Sequence, residues 1–268
     1  MSSAAARGPP THFLALPLVP AFPAPIPARI VNGLYHLCER CCSNDAVQIV
    51  DPCAIRPART LHLTIAIARW PTPEAVREGV AALRAFGVER QADRGMAVRL
   101  RGLRMFPGAN TKRANVVFAG VEDLSRGRKG TSVQEFADSV RIYFDERGLL
   151  LPENKRKKSG RNRNNGGSQD PKEDEKEEGV VLHATMINTV YATTRSSRGT
   201  PSLNNTERLG INARRGGRPS FDATALLAEF QNFDFSDTIQ INRLEICKMG
   251  QRSEQDGGGY QCIAHIDI

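Results

Sequence analysis

Two tetrapeptides, Leu61-His62-Leu63-Thr64 and Leu182-His183-Ala184-Thr185, set a histidine and a threonine two positions apart, twice, at distant points of the chain. Imidazole ordinarily titrates near neutrality, so two of them on opposite sides of one phosphorus can act as base and acid. In an extended segment residues i and i+2 project to the same side, which stands each threonine hydroxyl beside its histidine. There it can donate to a non-bridging phosphate oxygen. The chemistry this predicts is cleavage of a phosphodiester, with His62 and His183 as proton carriers and Thr64 and Thr185 as phosphate holders. One His-x-Thr alone is an ordinary strand pair, since threonine is common in strands. The repetition, each time after leucine, is what marks these two.

The flanking elements must bring the two motifs together. A first strand is expected over 13–18, and Ile30, Val31, Leu34, Leu37, Cys38 and Cys41 recur at helical spacing. A loop carrying Arg56, Pro57 and Arg59 leads into a strand over 61–68, with Leu61, Leu63, Ile65 and Ile67 on its apolar face and His62, Thr64, Ala66 and Ala68 on the other. Pro73-Glu74 opens a helix, strands follow over 96–106 and 115–121, and a helix over 131–147 ends at Gly148. The second half offers a strand over 180–191, a helix over 222–230 and two paired strands over 238–247 and 260–268. Each half thus supplies one His-x-Thr.

Other stretches carry the same order further. Thr11-His12-Phe13-Leu14-Ala15-Leu16-Pro17-Leu18 comes first, Gly102-Leu103-Arg104-Met105-Phe106-Pro107 lies between the motifs, and Met186-Ile187-Asn188-Thr189 follows the second. Ser220-Phe221-Asp222 and Gln231-Asn232-Phe233-Asp234-Phe235 precede Ile241-Asn242-Arg243-Leu244-Glu245-Ile246-Cys247. In this order, from about Thr11 to Ile268, the chain resembles the 2H phosphoesterase superfamily, the LigT-like group of bacterial RNA 2′,5′-ligases and cyclic phosphodiesterases. Within it, the tail is similar to the phosphoesterase domains of A-kinase anchor protein seven and of subunit one of the activating signal cointegrator complex. The resemblance implies an α+β, LigT-like bilobal fold, two pseudo-symmetric antiparallel-sheet lobes with flanking helices around a central cleft. It implies a metal-independent phosphodiesterase that needs no cofactor and acts on RNA ends or short oligonucleotides bearing a 2′,3′-cyclic phosphate or a 2′,5′ linkage. The competing expectation is a noncatalytic RNA-binding or adaptor protein, tied to transcription or alkylation-damage repair as the cointegrator subunit is.

A formal charge of +8 suits a polyanionic ligand such as RNA. Residues 1–10 are expected to be disordered and 11–268 to form one domain with two insertions. The first, 153–179, lacks apolar periodicity and runs from basic to acidic, so it is expected to be disordered. The second, 193–219, is a basic polar loop whose Arg214, Arg215 and Arg218 are candidate substrate contacts. Tyr191 and Phe106 are candidate platforms for a base, as Trp70 and Phe118 are by position, although with an aromatic content of 6% most of these rings are expected in the core. His12 is expected at the surface, and His36 and His265 lack a threonine two residues on.

The apolar run 13–26 is broken by Pro17, Pro20, Pro23 and Pro25, which excludes a membrane-spanning helix there. An intracellular monomer of nucleus or cytoplasm is expected, with protein partners in a transcription or repair complex implied by the resemblance alone. The six cysteines lack a second well-spaced pair, and Cys247 and Cys262 fall in separate strands. Free thiols and no metal are therefore expected.

Overall fold

Short alternating segments build β1 (His12–Pro17), β2 (His62–Ala68), β3 (Met96–Arg104), β4 (Val116–Asp123), β5 (Ala184–Asn188), β6 (Ile239–Ile241), β7 (Arg243–Ser253) and β8 (Gly259–Asp267). Between them lie the helices α1 (Ala28–Cys42), α2 (Pro73–Glu89), α3 (Val133–Glu146) and α4 (Thr224–Glu229). The computed structural model describes residues 8–42, 51–89, 95–125, 131–151, 180–192 and 219–268. The expected insertions, and most of the expected N-terminal tail, lie outside these residues.

All eight strands join one sheet in the order β6-β3-β4-β5-β2-β1-β7-β8, and every neighbouring pair is antiparallel. The sheet divides into two four-stranded lobes that meet where β5 pairs with β2, the α+β arrangement the resemblance implied. Leu14, Leu16, Leu63, Ala184, Met186, Leu244 and Ile246 turn one way into the main core. There α2 packs on β8, and α3 on β2 and β3. The opposite face carries a smaller cluster of Phe13, Ala15 and Cys247, with Tyr260 and Cys262 beside it.

Three departures from the sequence expectation have local causes. The register of β1 on β2 shifts between Leu14 and Ala15, so the alternation of β2 reverses beyond it. Ile67 is consequently 40% exposed opposite Phe13, while Ala68 is buried. The strand expected over 180–191 pairs only across Ala184–Asn188 and ends in a 3₁₀ turn, Thr189–Tyr191, closed by the Asn188 side chain accepting from the Val190 amide. The strand expected over 238–247 breaks at Asn242: Ile241 pairs with Met96 in β3, whereas Arg243 pairs with Asp267 in β8. One residue thus links opposite ends of the sheet, and since adjacent Cα atoms are only about 3.8 Å apart, the sheet must curl into a half-barrel.

Candidate active site

The two motifs occupy the seam between the lobes. Leu63 faces Ala184 across the antiparallel pair, and both turn into the core. By that register His62 lies across from Thr185 and Thr64 across from His183, all four on the other face of the sheet. Each histidine is then oriented in the same way. His62 Nδ1 lies 2.7 Å from the carbonyl oxygen of Thr60, and His183 Nδ1 lies 2.7 Å from that of Val181. A carbonyl can only accept, so Nδ1 carries the proton in both rings and Nε2 is left with its lone pair. His62 Nε2 lies 3.0 Å from Thr64 Oγ1 and accepts from that hydroxyl.

The supports for these carbonyls differ. Thr60 sits in a 3₁₀ turn, Ala58–Thr60, and its own hydroxyl donates to the Pro57 carbonyl at 2.7 Å. The Arg59 side chain straps the same turn to the Pro20 carbonyl. On the other side α3 grips the chain just before Val181: the Val180 amide donates to Asp138 Oδ1 at 2.8 Å, and Gln134 Nε2 donates to the Val180 carbonyl at 2.9 Å. A capping box of Ser132 and Glu135 starts that helix.

Each imidazole is also wedged against two rings. His62 lies 5.0 Å from Phe13 and 5.3 Å, edge to face, from Tyr260. His183 lies 4.9 Å from Phe106 and 5.2 Å from Phe118. Burial among them disfavours the imidazolium, pushing His62 down to about 4 and lowering His183 as well. The charges of Arg56 and of His183 lower His62 further, against the Thr60 carbonyl, which raises it. His62 is therefore neutral at pH 7, and His183 is shifted in the same direction.

Among the sequence-predicted contacts, Phe106 is 37% exposed at the edge of His183, and Tyr191 is half-buried beneath Arg56. Arg214, Arg215 and Arg218 lie outside the described residues. The ends of that stretch, Ala192 and Pro219, are both held at the end of β5 through Thr189. Two expectations are corrected. Trp70 is no base platform: it is buried, with its Nε1 donating to the Leu149 carbonyl. His12 is not at the surface but buried against Trp70, its Nδ1 paired with the Thr11 hydroxyl. Sequence reasoning left Phe13, Arg56 and Tyr260 out of the site. Only proximity in the fold selects them, because none stands in a repeated motif.

Beside His62 opens a cavity of about 300 Å³, lined by Phe13, Arg59, Glu245, Cys247, Tyr260 and Cys262 among others. A larger hollow of about 1080 Å³ along Pro17, Arg84, Asn242 and Ile268 contains neither histidine, so chemistry and not size picks the site. The six cysteines are free thiols. The separate strands of Cys247 and Cys262 are in fact neighbours that pair these two residues, and with Glu245 their ligand atoms lie within 4.8 Å of one another. Two sulfurs and a carboxylate are donors suited to zinc-like ions. Among the described residues no helix is long and apolar enough to cross a membrane.

No curated protein matches the sequence. Among solved structures the chain is similar to Escherichia coli LigT complexed with NADP+, at 13% identity, covering 98% of this chain and 99% of that one, with a TM-score of 0.45. It is likewise similar to TT0787 of Thermus thermophilus, at 15% identity, covering 96% and 97%, with a TM-score of 0.48. A family model described as the AKAP7 2′5′ RNA ligase-like domain matches residues 10–268, nearly the whole chain. With paired His-x-Thr motifs at the seam of a two-lobed sheet, the chain belongs to the AKAP7 2′5′ RNA ligase-like domain family of 2H phosphoesterases.

Proposed function

We propose that this protein is a metal-independent phosphodiesterase acting on RNA ends or short oligonucleotides, at a 2′,3′-cyclic phosphate or a 2′,5′ linkage. Family membership supports a phosphodiesterase-type activity. The observation that carries the finer reading is the matched pair of imidazoles, each with Nδ1 tied to a carbonyl and the lone pair left on Nε2; that of His62 accepts from Thr64 Oγ1, whose hydrogen turns to a phosphate oxygen when substrate binds. One Nε2 takes a proton from the attacking oxygen, water or a ribose hydroxyl, as that oxygen bonds to phosphorus. The other Nε2, protonated, gives its proton to the ribose oxygen whose bond to phosphorus breaks. Solvent then restores both rings. Thr64 and Thr185 donate to the non-bridging oxygens, where negative charge grows.

In this reading the two roles differ. Burial, and after it the charge of Arg56, keeps His62 neutral and suits it to the base, while Arg56 is not among the causes at His183. A phosphate anion entering between the rings favours the imidazolium, and His183, free of that cation, takes the proton and serves as the acid. The direct test is turnover of nucleoside 2′,3′-cyclic phosphates and 2′,5′-linked oligoadenylate with excess chelator present. Cleavage that vanishes in His62→Ala and His183→Ala is the expected result. Tight binding of every substrate without turnover would replace this reading with a noncatalytic RNA-binding protein. A leaving group that needs no proton should rescue His183→Ala and leave His62→Ala inactive.

A further inference from the structure

The loop entering β2 holds a cation with no anion beside it among the described residues. Arg56 is 4% exposed. Its guanidinium lies 3.9 Å over the Tyr191 ring, and Nη2 donates to the Tyr260 hydroxyl at 2.7 Å. Nη1 is buried with no hydrogen-bond partner, and no carboxylate pairs with Arg56 among the described residues. The backbone offers no freedom to withdraw the side chain by shifting the loop, because the Arg56 amide donates to the Met186 carbonyl of β5 at 2.8 Å.

A buried charge is ordinarily paired, and leaving one unpaired costs more than a single neutral hydrogen bond and one ring face return. A residue placed only to fill space between Tyr191 and Tyr260 would be better apolar. Arginine in that place fits a different task, since its planar fork matches the oxygens of phosphate and a guanidinium does not shed its charge on burial as an amine does. The position fits too: the Tyr260 ring touches both Arg56 and His62, and the Arg56 charge is felt at His62.

We propose that Arg56 is a phosphate anchor on the His62 flank of the cleft, with Nη1 donating to an anionic oxygen of the substrate. This rests on the phosphodiesterase reading and deepens it. With no cation described beside His183, the anchor makes a cleft of matched histidines polar, so a substrate enters in one direction. Nη1 is closed to solvent, and the anion reaches it by displacing the edge of the half-buried Tyr191.

The test uses inorganic phosphate as the probe on the full chain, by calorimetric titration and by thermal unfolding with and without phosphate. Phosphate should raise the wild-type midpoint, as any ligand of the native state does. In Arg56→Met, which keeps the bulk and removes the charge, phosphate affinity should fall at least about tenfold, a loss of roughly 1.4 kcal/mol. The midpoint without phosphate should hold or rise. Arg56→Lys, a point charge without the fork, should fall between the two and covers the case in which Arg56→Met fails to fold. Wild-type phosphate affinity in Arg56→Met overturns the anchor. So does a lower midpoint with unchanged affinity, the signature of a mere strut between the tyrosines. Phosphate binding through Arg56 with no turnover of any phosphodiester would sink the proposed function and spare the anchor. Turnover with an unaltered KM in Arg56→Met would do the reverse.

Discussion

The His62 lobe and the His183 lobe solve the same local problem with different materials. Both hold an imidazole by a carbonyl two residues upstream, and both press it between two rings at about the same spacing. In the His183 lobe those rings are Phe106 and Phe118, purely apolar, and the backbone is clamped by α3. In the His62 lobe one ring is Tyr260, whose hydroxyl brings Arg56 within reach of the histidine. Among the described residues, geometry is duplicated while electrostatics are not. Matched geometry suits two proton transfers about one phosphorus, and unmatched charge suits assigning the two transfers to different residues.

The comparison breaks most visibly if the lobes are not partners. His62→Ala and His183→Ala should each lower kcat by about 10² to 10⁴ with folding intact, and the double variant should lose little more than the worse single one, since the pair acts as a unit. Losses that multiply in the double variant would mean independent roles. Thr64→Val and Thr185→Val should each cost about 10² in kcat with KM nearly unchanged, as loss of a donor to growing phosphate charge does. A wide gap between them would show that one lobe carries the phosphate alone.

The pH dependence sharpens the electrostatic half of the contrast. Under the proposed roles, catalysis in the free enzyme needs His183 protonated and His62 neutral. Because His183 is lowered from 6.5 and His62 lies at about 4, kcat/KM should rise as pH falls and go on rising below 6.5. It should then decline again towards about pH 4. Stability follows the same groups. Lowered histidines leave the unfolded chain binding more protons between about pH 6.5 and 4. Stability is therefore full above that window and falls as pH drops through it, by about 1–3 kcal/mol for His62. His62→Gln should flatten the slope in a urea series.

The smallest expected effect tests the one hydroxyl that distinguishes the rings. Tyr260→Phe keeps the wedge against His62 and removes the Arg56 partner, so turnover should change only a few-fold, in line with one hydrogen bond. The acid limb of the pH profile should move with it, because Arg56 is freed to shift relative to His62. An unmoved limb would separate Tyr260 from the charge acting on that histidine.

Much of this architecture was legible in residue order. The periodicities placed α1 through α3 and the strands β1 to β4 of the first half of the chain nearly where they stand, and the duplicated tetrapeptide pointed to the seam. What escaped was set by pairing. The reversal at Ile67 comes from a register shift against β1, which a single strand does not record. The break at Asn242 follows from two neighbouring segments finding partners at opposite ends of the sheet. His12 read as a surface residue because it precedes an apolar strand, and Trp70 as a candidate platform because it stands near a strand end, yet both are buried and pack against each other.

Local chemistry, then, was written in the chain: which side chains can move a proton, which can hold phosphate, and that each kind occurs twice. Alternation along a strand is a short-range property, so it survives reading one residue at a time. The asymmetry was decided only when β8 came to lie beyond β7 and the loop before β2 closed onto β5, setting Tyr260 and Arg56 beside His62. Contacts between residues some two hundred positions apart depend on how strands are ordered in a sheet, and that order is a property of the folded whole.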